Sequence, residues 1–167
     1  MIYLGTFSKT LFPSLRVAYL VLPPDLVERF ARALNELFRE GQTLQQAVLA
    51  RFLAEGHYAS HIRRMRAVYG ARHDALIAAI RHEFGGTLPV IGGDAGLHLV
   101  LGLPGRIDDH AVVQQGLRAG IATRPLSMYQ MRKTKPARGL LLGYAAVPEE
   151  EIAPNFALLA KAVGSFL

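Results

Sequence analysis

Two short apolar runs enclosing one polar loop constrain this chain more than any other feature. Met1 to Leu4 is apolar and leads straight into Gly5-Thr6-Phe7-Ser8-Lys9-Thr10; Val17 to Leu22 follows and ends at Pro23-Pro24. Runs this short, stopped by residues that lack the N–H needed to continue a ladder, read as buried strands. The pattern predicts a strand, a loop carrying a lysine, and a second strand.

Downstream the period changes to helical. From Asp25, the residues Leu26, Phe30, Ala33, Leu34 and Leu37 form one stripe, and Gly41 is a stop. A second helix is expected from Thr43 to Ala54. A long one is expected from near Ser60 to Phe84, close to 35 Å at about 1.5 Å per residue, closed by Gly85-Gly86. After Thr87 short elements alternate: strand Leu97 to Leu101, helix Asp108 to Ala119 capped by Asp108 and ended by Gly120, strands Ile121 to Arg124 and Leu140 to Tyr144, and helix Glu149 to Phe166. This last region predicts an α+β unit, joined to the strand-lysine-strand piece by the helical segments.

Composition removes several function classes. With 51% hydrophobic and 19% charged residues the chain is a folded globular type. It has no cysteine, so disulfides, thiolate metal sites and cysteine nucleophiles are excluded. Its longest apolar stretches fall well short of the roughly 18 residues that span a bilayer, and no signal peptide is read at its start, so a cytoplasmic protein without membrane contact is expected. The net charge of +6 is densest around Arg63, Arg64, Arg66 and Arg72. A basic helix can bind nucleic acid through phosphates, but Ile62, Met65, Tyr69 and Leu76 recur here at helical spacing, which leaves the arginines to a solvated face. The histidines share no metal-ligand spacing, and His57 and His61 are expected to lack acidic partners. His98 is expected to be hydrogen-bonded on a partly buried strand, with ligand contact as the alternative.

Lys9 has around it the groups that a phosphate-bearing aldehyde requires. A lysine amine condenses with an aldehyde, while hydroxyls, backbone N–H groups and an arginine hold the phosphate. Thr6 and Ser8 offer hydroxyls just before Lys9, Gly5 is read as relaxing the backbone, and Arg16 brings a planar donor fork. Tyr19 has no chemical role in this pattern and reads as a packed strand position.

The whole run from Ile2 to Pro23 resembles the Schiff-base segment of fold-type I pyridoxal 5'-phosphate (PLP) proteins. It is most similar to GntR-family transcription regulators of the MocR type, whose effector domain is aminotransferase-like. The resemblance extends along the chain, through His57 to Arg72, Ala95 to Leu99, Gly120 to Ser127, and Leu142-Gly143-Tyr144 with Pro148 to Ile152. It implies an α/β fold, the C-terminal part of the aspartate-aminotransferase type. Residues 1–56 would end the large PLP-binding domain, 57–86 form the interdomain helix, and 87–167 the small α+β domain. It also implies that Lys9 binds PLP as a Schiff base, that Arg16 contacts the cofactor phosphate, and that Thr6 and Ser8 supply further phosphate contacts.

One departure bears on activity. Family aminotransferases hold the substrate carboxylate with an arginine on the closing strand, and the aligned position here is Leu141. Arg138 is the nearest substitute and Arg124 a weaker one. Without such an arginine an amino acid or amine effector fits better than a transamination substrate, so whether the chain is an enzyme stays open. The alternatives are the effector and dimerisation domain of a regulator, or part of a free-standing aminotransferase acting on an amino acid and a 2-oxo acid. In the family the groups that pair with and stack on the PLP ring lie upstream of the lysine, as does the regulators' winged helix. The resemblance therefore implies a fragment of a longer protein, a homodimer, and DNA contact only through a domain outside these residues.

Overall fold

The computed structural model describes residues 1–39, 41–93, 96–131 and 137–167. The chain divides into two compact units, residues 1–65 and 66–167.

In the first unit, strands β1 (Tyr3–Thr6) and β2 (Ala18–Val21) pair antiparallel, from Tyr3 opposite Val21 to Thr6 opposite Ala18. Helices α1 (Pro24–Phe38) and α2 (Thr43–Ala54) follow, and α3 (His57–Phe84) begins here. Two strands do flank the lysine loop, but the expectation that they are buried fails. Every residue of β2 is exposed, because a two-stranded sheet leaves both faces open. The apolar stripe of α1 is only partly covered: Leu26 and Phe30 are half-buried, while Ala33, Leu34 and Leu37 are exposed, Leu37 to 74%. Helix α3 starts at His57 rather than near Ser60. The carbonyl of Gly56, whose φ is +78°, accepts from Ser60 N and opens the helix three residues earlier. Its 28 residues span about 42 Å.

The second unit holds a four-stranded antiparallel sheet in the order β3 (Val90–Ile91), β4 (His98–Leu103), β6 (Arg138–Gly143), β5 (Arg124–Pro125). Alternation along β4 and β6 turns Leu99, Leu101, Leu140 and Leu142 to one face. There they pack with Leu76 and Ile80 of α3, Val112 of α4 (Asp109–Arg118), and Ile152, Phe156, Leu159 and Val163 of α5 (Glu149–Gly164). The strand expected at Ile121 to Arg124 shrinks to Arg124–Pro125. Gly120 (φ +84°) ends α4, and Ile121 N donates back to Gly116 O while Gly120 N donates to Leu117 O, so Ile121 belongs to the helix cap. The start of the segment Ala95 to Leu99 lies outside the described residues. No helix among the described residues is long and apolar enough to cross a membrane.

The basic part of α3 is partly as expected. Arg63, Arg64 and Arg66 are exposed, but Arg72 is half-buried and donates to the carbonyl of Ala145. His57 does have an acidic partner, Glu55, at 3.1 Å.

Candidate cofactor site

Lys9 stands in the middle of a single helical turn. Leu11 N donates to Phe7 O at 2.8 Å, and Thr10 Oγ1 reaches the same carbonyl at 3.4 Å. Thr6 Oγ1 accepts from Ser8 N at 3.2 Å, capping the turn as a hydroxyl caps a helix start. Phe7 N donates to Val17 O at 3.2 Å, which carries the β1–β2 ladder one step past Thr6. The next positions along it are Ser8 and Arg16. The fold thus brings Thr6, Ser8 and Lys9 onto one turn and returns Arg16 to its edge.

Arg16 adopts φ 53°, ψ 29°, closing a 3-10 turn at Pro13–Leu15. A non-glycine residue in this left-handed region costs about 1–2 kcal/mol, and such strain concentrates at functional positions. Lys9 and Arg16 are both exposed, and no ion pair among the described residues engages either. A cavity of about 490 Å³ opens beside Arg16, with Arg39 and Gln46 also on its wall; Lys9 does not line it. An exposed amine, a hydroxyl-bearing turn and an exposed guanidinium fit the aldehyde and phosphate of PLP.

Gly5 departs from the role read for it, whereas Tyr19 sits on β2 in ring contact with its neighbours, as a packing position does. Gly5 does not occupy left-handed backbone; it is buried under the Tyr19 ring, where an added Cβ would fall 2.2 Å from Cζ. The Tyr19 ring in turn meets Phe7 (5.5 Å between centroids) and Tyr3 (6.1 Å) at tilted angles. The neighbouring Tyr3 hydroxyl, ahead of any other group, holds the Tyr19 hydroxyl above the usual phenol range. The tyrosine packs against Phe7 of the lysine loop, a partner that spacing alone does not reveal.

The two candidate carboxylate arginines separate clearly. Arg138 Nη1 lies 2.8 Å from Oδ1 of Asp109, which is 0% exposed, and 3.5 Å from Asp108. Asp109 Oδ1 also accepts from Ser127 Oγ (2.7 Å), and Oδ2 from Ser127 N (3.0 Å) and Gly139 N (3.3 Å). Burial pushes the Asp109 pKa up, but the donors from Ser127, Arg138 and Gly139 outweigh it and hold the carboxyl below its ordinary range. Arg138 is therefore committed to a buried network that ties α4 to the start of β6. Arg124 is exposed, is joined by no ion pair among the described residues, and stands directly across from Leu141 in the β5–β6 ladder. Directly opposed residues share a face about 5 Å apart. His98 is exposed, with no side-chain hydrogen bond among the described residues, contrary to the partly buried, bonded position expected. Asp109 escaped the sequence reading because Asp108 supplied the visible cap, its side chain accepting from His110 N.

The fold is that of the fold-type I PLP-dependent aminotransferases. The crystal structure of LysN, an α-aminoadipate aminotransferase from Thermus thermophilus complexed with N-(5'-phosphopyridoxyl)-L-leucine, superposes with a TM-score of 0.86 at 26% identity, covering 99% of this chain and 42% of that one. Residues 1–154 match the aminotransferase class I and II family, and the chain belongs to it. Among its relatives, the probable rhizopine catabolism regulatory protein MocR of Rhizobium meliloti is 37% identical over 147 residues, 88% of this chain and 30% of that protein. The uncharacterized HTH-type transcriptional regulator YhdI of Bacillus subtilis is 36% identical over 152 residues, 91% of this chain and 32% of the relative. The chain thus spans about a third of the length of these regulators.

Proposed function

We propose that this chain is the PLP-binding, aminotransferase-like effector and dimerisation domain of a MocR-type transcription regulator. Lys9 binds the cofactor covalently, Arg16 holds its phosphate, and Thr6 and Ser8 add hydroxyl contacts. The observation that carries the reading is the lysine turn itself, with an exposed amine at its centre and a strained, exposed arginine returned to its edge. When bound, PLP supplies an aldehyde for the lysine and an electron-withdrawing ring for the ligand's amine. The chain's own part is to present the amine, neutralise the phosphate and keep the turn in shape.

Regulator rather than enzyme is favoured by two facts: identity is 37% to MocR against 26% to LysN, and the closing strand carries Leu141 while Asp109 occupies Arg138. Arg124 is then the residue that meets a ligand carboxylate, and the ligand is an amino acid or amine. The segments 1–56, 57–86 and 87–167 act as the end of a large domain, an interdomain helix and a small domain. The protein works as a cytoplasmic homodimer and reaches DNA through a domain outside these residues. The second reading, part of a free-standing aminotransferase, draws on the LysN superposition. A winged helix encoded upstream decides for the regulator, and an enzyme domain with amino-transfer activity decides against it.

The cofactor assignment is tested by titrating the intact polypeptide with PLP. The near-visible absorbance of lysine-bound PLP is expected in the wild type and lost in Lys9→Ala with folding preserved; equal absorbance in both proteins sinks it.

A further inference from the structure

We infer that His61 and Tyr58, on the first turns of α3, are positioning residues that hold the lysine turn in the shape that receives PLP. The inference rests on the reading of Lys9 given above. A lone helical turn is a poor structure by itself, since one hydrogen bond must offset the ordering of several dihedral angles. The turn around Lys9 has one such backbone bond, Leu11 N to Phe7 O. At its front the β1–β2 ladder supports it through Phe7 N and Val17 O; at its back no strand among the described residues does.

Helix α3 supplies support at both ends. The Phe7 ring meets Tyr58 edge-on, with centroids 5.8 Å apart at 78°. His61 Nε2 lies 3.0 Å from the carbonyl of Thr10, a partly buried contact between residues 51 positions apart. A carbonyl only accepts, so Nε2 carries the proton and donates. Tyr58 and His61 are three residues apart and share a helix face. One face of α3 therefore grips the residues on either side of Ser8-Lys9.

The contrast with the other α3 histidines singles this contact out. His57, His73 and His82 each pair with a carboxylate close by in sequence, Glu55, Asp74 and Glu83. His61 instead spends its proton on a distant loop carbonyl. Neither a metal site nor an ion pair among the described residues uses it.

The test uses the intact polypeptide with His61→Leu, which removes the donor, His61→Gln, which keeps an N–H able to reach the carbonyl, and Lys9→Ala. Hydrogen exchange of the segment 7–11 is measured without PLP, with α2 as internal reference, and PLP affinity is measured by absorbance. His61→Leu is expected to exchange roughly five- to ten-fold faster at Leu11, the worth of one hydrogen bond, and to bind PLP more weakly by a similar factor. The α2 segment should be unchanged, and His61→Gln should restore both readouts. Unchanged exchange or unchanged affinity in His61→Leu overturns the inference, as does equal impairment of the Leu and Gln variants. If Lys9→Ala binds PLP like the wild type, the cofactor reading fails; the exchange comparison, made without PLP, still decides whether the clamp exists.

Discussion

Replacing Asp109 by asparagine keeps its shape and removes its charge, and the geometry forecasts a loss far larger than an isosteric change suggests. Oδ2 receives two backbone amides, from Ser127 and Gly139, and Oδ1 receives the Ser127 hydroxyl and the Arg138 guanidinium. An amide NH2 placed at either position faces at least one donor that cannot become an acceptor. One or two bonds to the buried side chain are lost, at about 1.5–3 kcal/mol each when a charged group is involved, and the Arg138 side chain, 25% exposed, keeps only the longer contact with Asp108 at 3.5 Å as counter-charge. Removing one partner of a buried pair costs about 3–5 kcal/mol; with Arg138 partly wet, about 3 kcal/mol is expected for Asp109→Asn and slightly more for Asp109→Ala. Urea unfolding should be read from Val112 and Leu140, both fully buried, so that the second unit alone is reported. The pH dependence has a fixed sign. A carboxyl whose folded pKa is lowered contributes stability that is complete above the unfolded value, about 3.9, and is lost as pH falls through the folded value. The gap between wild type and Asp109→Asn must therefore be full at pH 7 and shrink under acid. A difference below about 1 kcal/mol, or one independent of pH, refutes the network as described.

Other substitutions probe the lysine loop and the ligand side. Arg16→Gly relieves left-handed backbone strain, so hairpin stability should rise by about 1 kcal/mol while PLP affinity falls at least about ten-fold; parallel changes in thermal melts and titrations would contradict this. In Gly5→Ala the new Cβ meets the tip of the half-exposed Tyr19 ring, which must swing aside, and a loss of about 0.5–1.5 kcal/mol, the worth of its aromatic contacts, is expected in the hairpin by hydrogen exchange. Arg124→Ala should weaken binding of a carboxylate-bearing amino acid by about ten-fold or more without moving the PLP absorbance, whereas Arg138→Ala should act mainly on unfolding.

The lysine loop was legible in the sequence because its chemistry is local: hydroxyls, amine and arginine lie within a short run bounded by two strands. The helices were legible for the same reason, with Gly41, Gly85 and Gly120 marking ends and Asp108 a beginning. What escaped depends on partners distant along the chain. The short β3 exists only through pairing with Val100 and Leu101. Ile121 looked like strand until the cap of α4 claimed it. Spacing put Arg138 ahead of Arg124 because it could not show Asp109, which engages Arg138 and is held by Ser127 and Gly139, distant along the chain. Tyr19 and His61 act on the loop across the hairpin and from α3, at separations no local pattern encodes.

The central claim is that Lys9 carries the cofactor, and the chain contains its own controls in Lys133, Lys135 and Lys161. Borohydride reduction of the PLP-treated intact polypeptide fixes any lysine-bound PLP as a stable phosphopyridoxyl group, which peptide mass spectrometry then locates. Substoichiometric PLP should label the peptide containing Lys9 and leave the other three lysines essentially unmodified. Label spread evenly over the four, or absent from Lys9, would contradict the account.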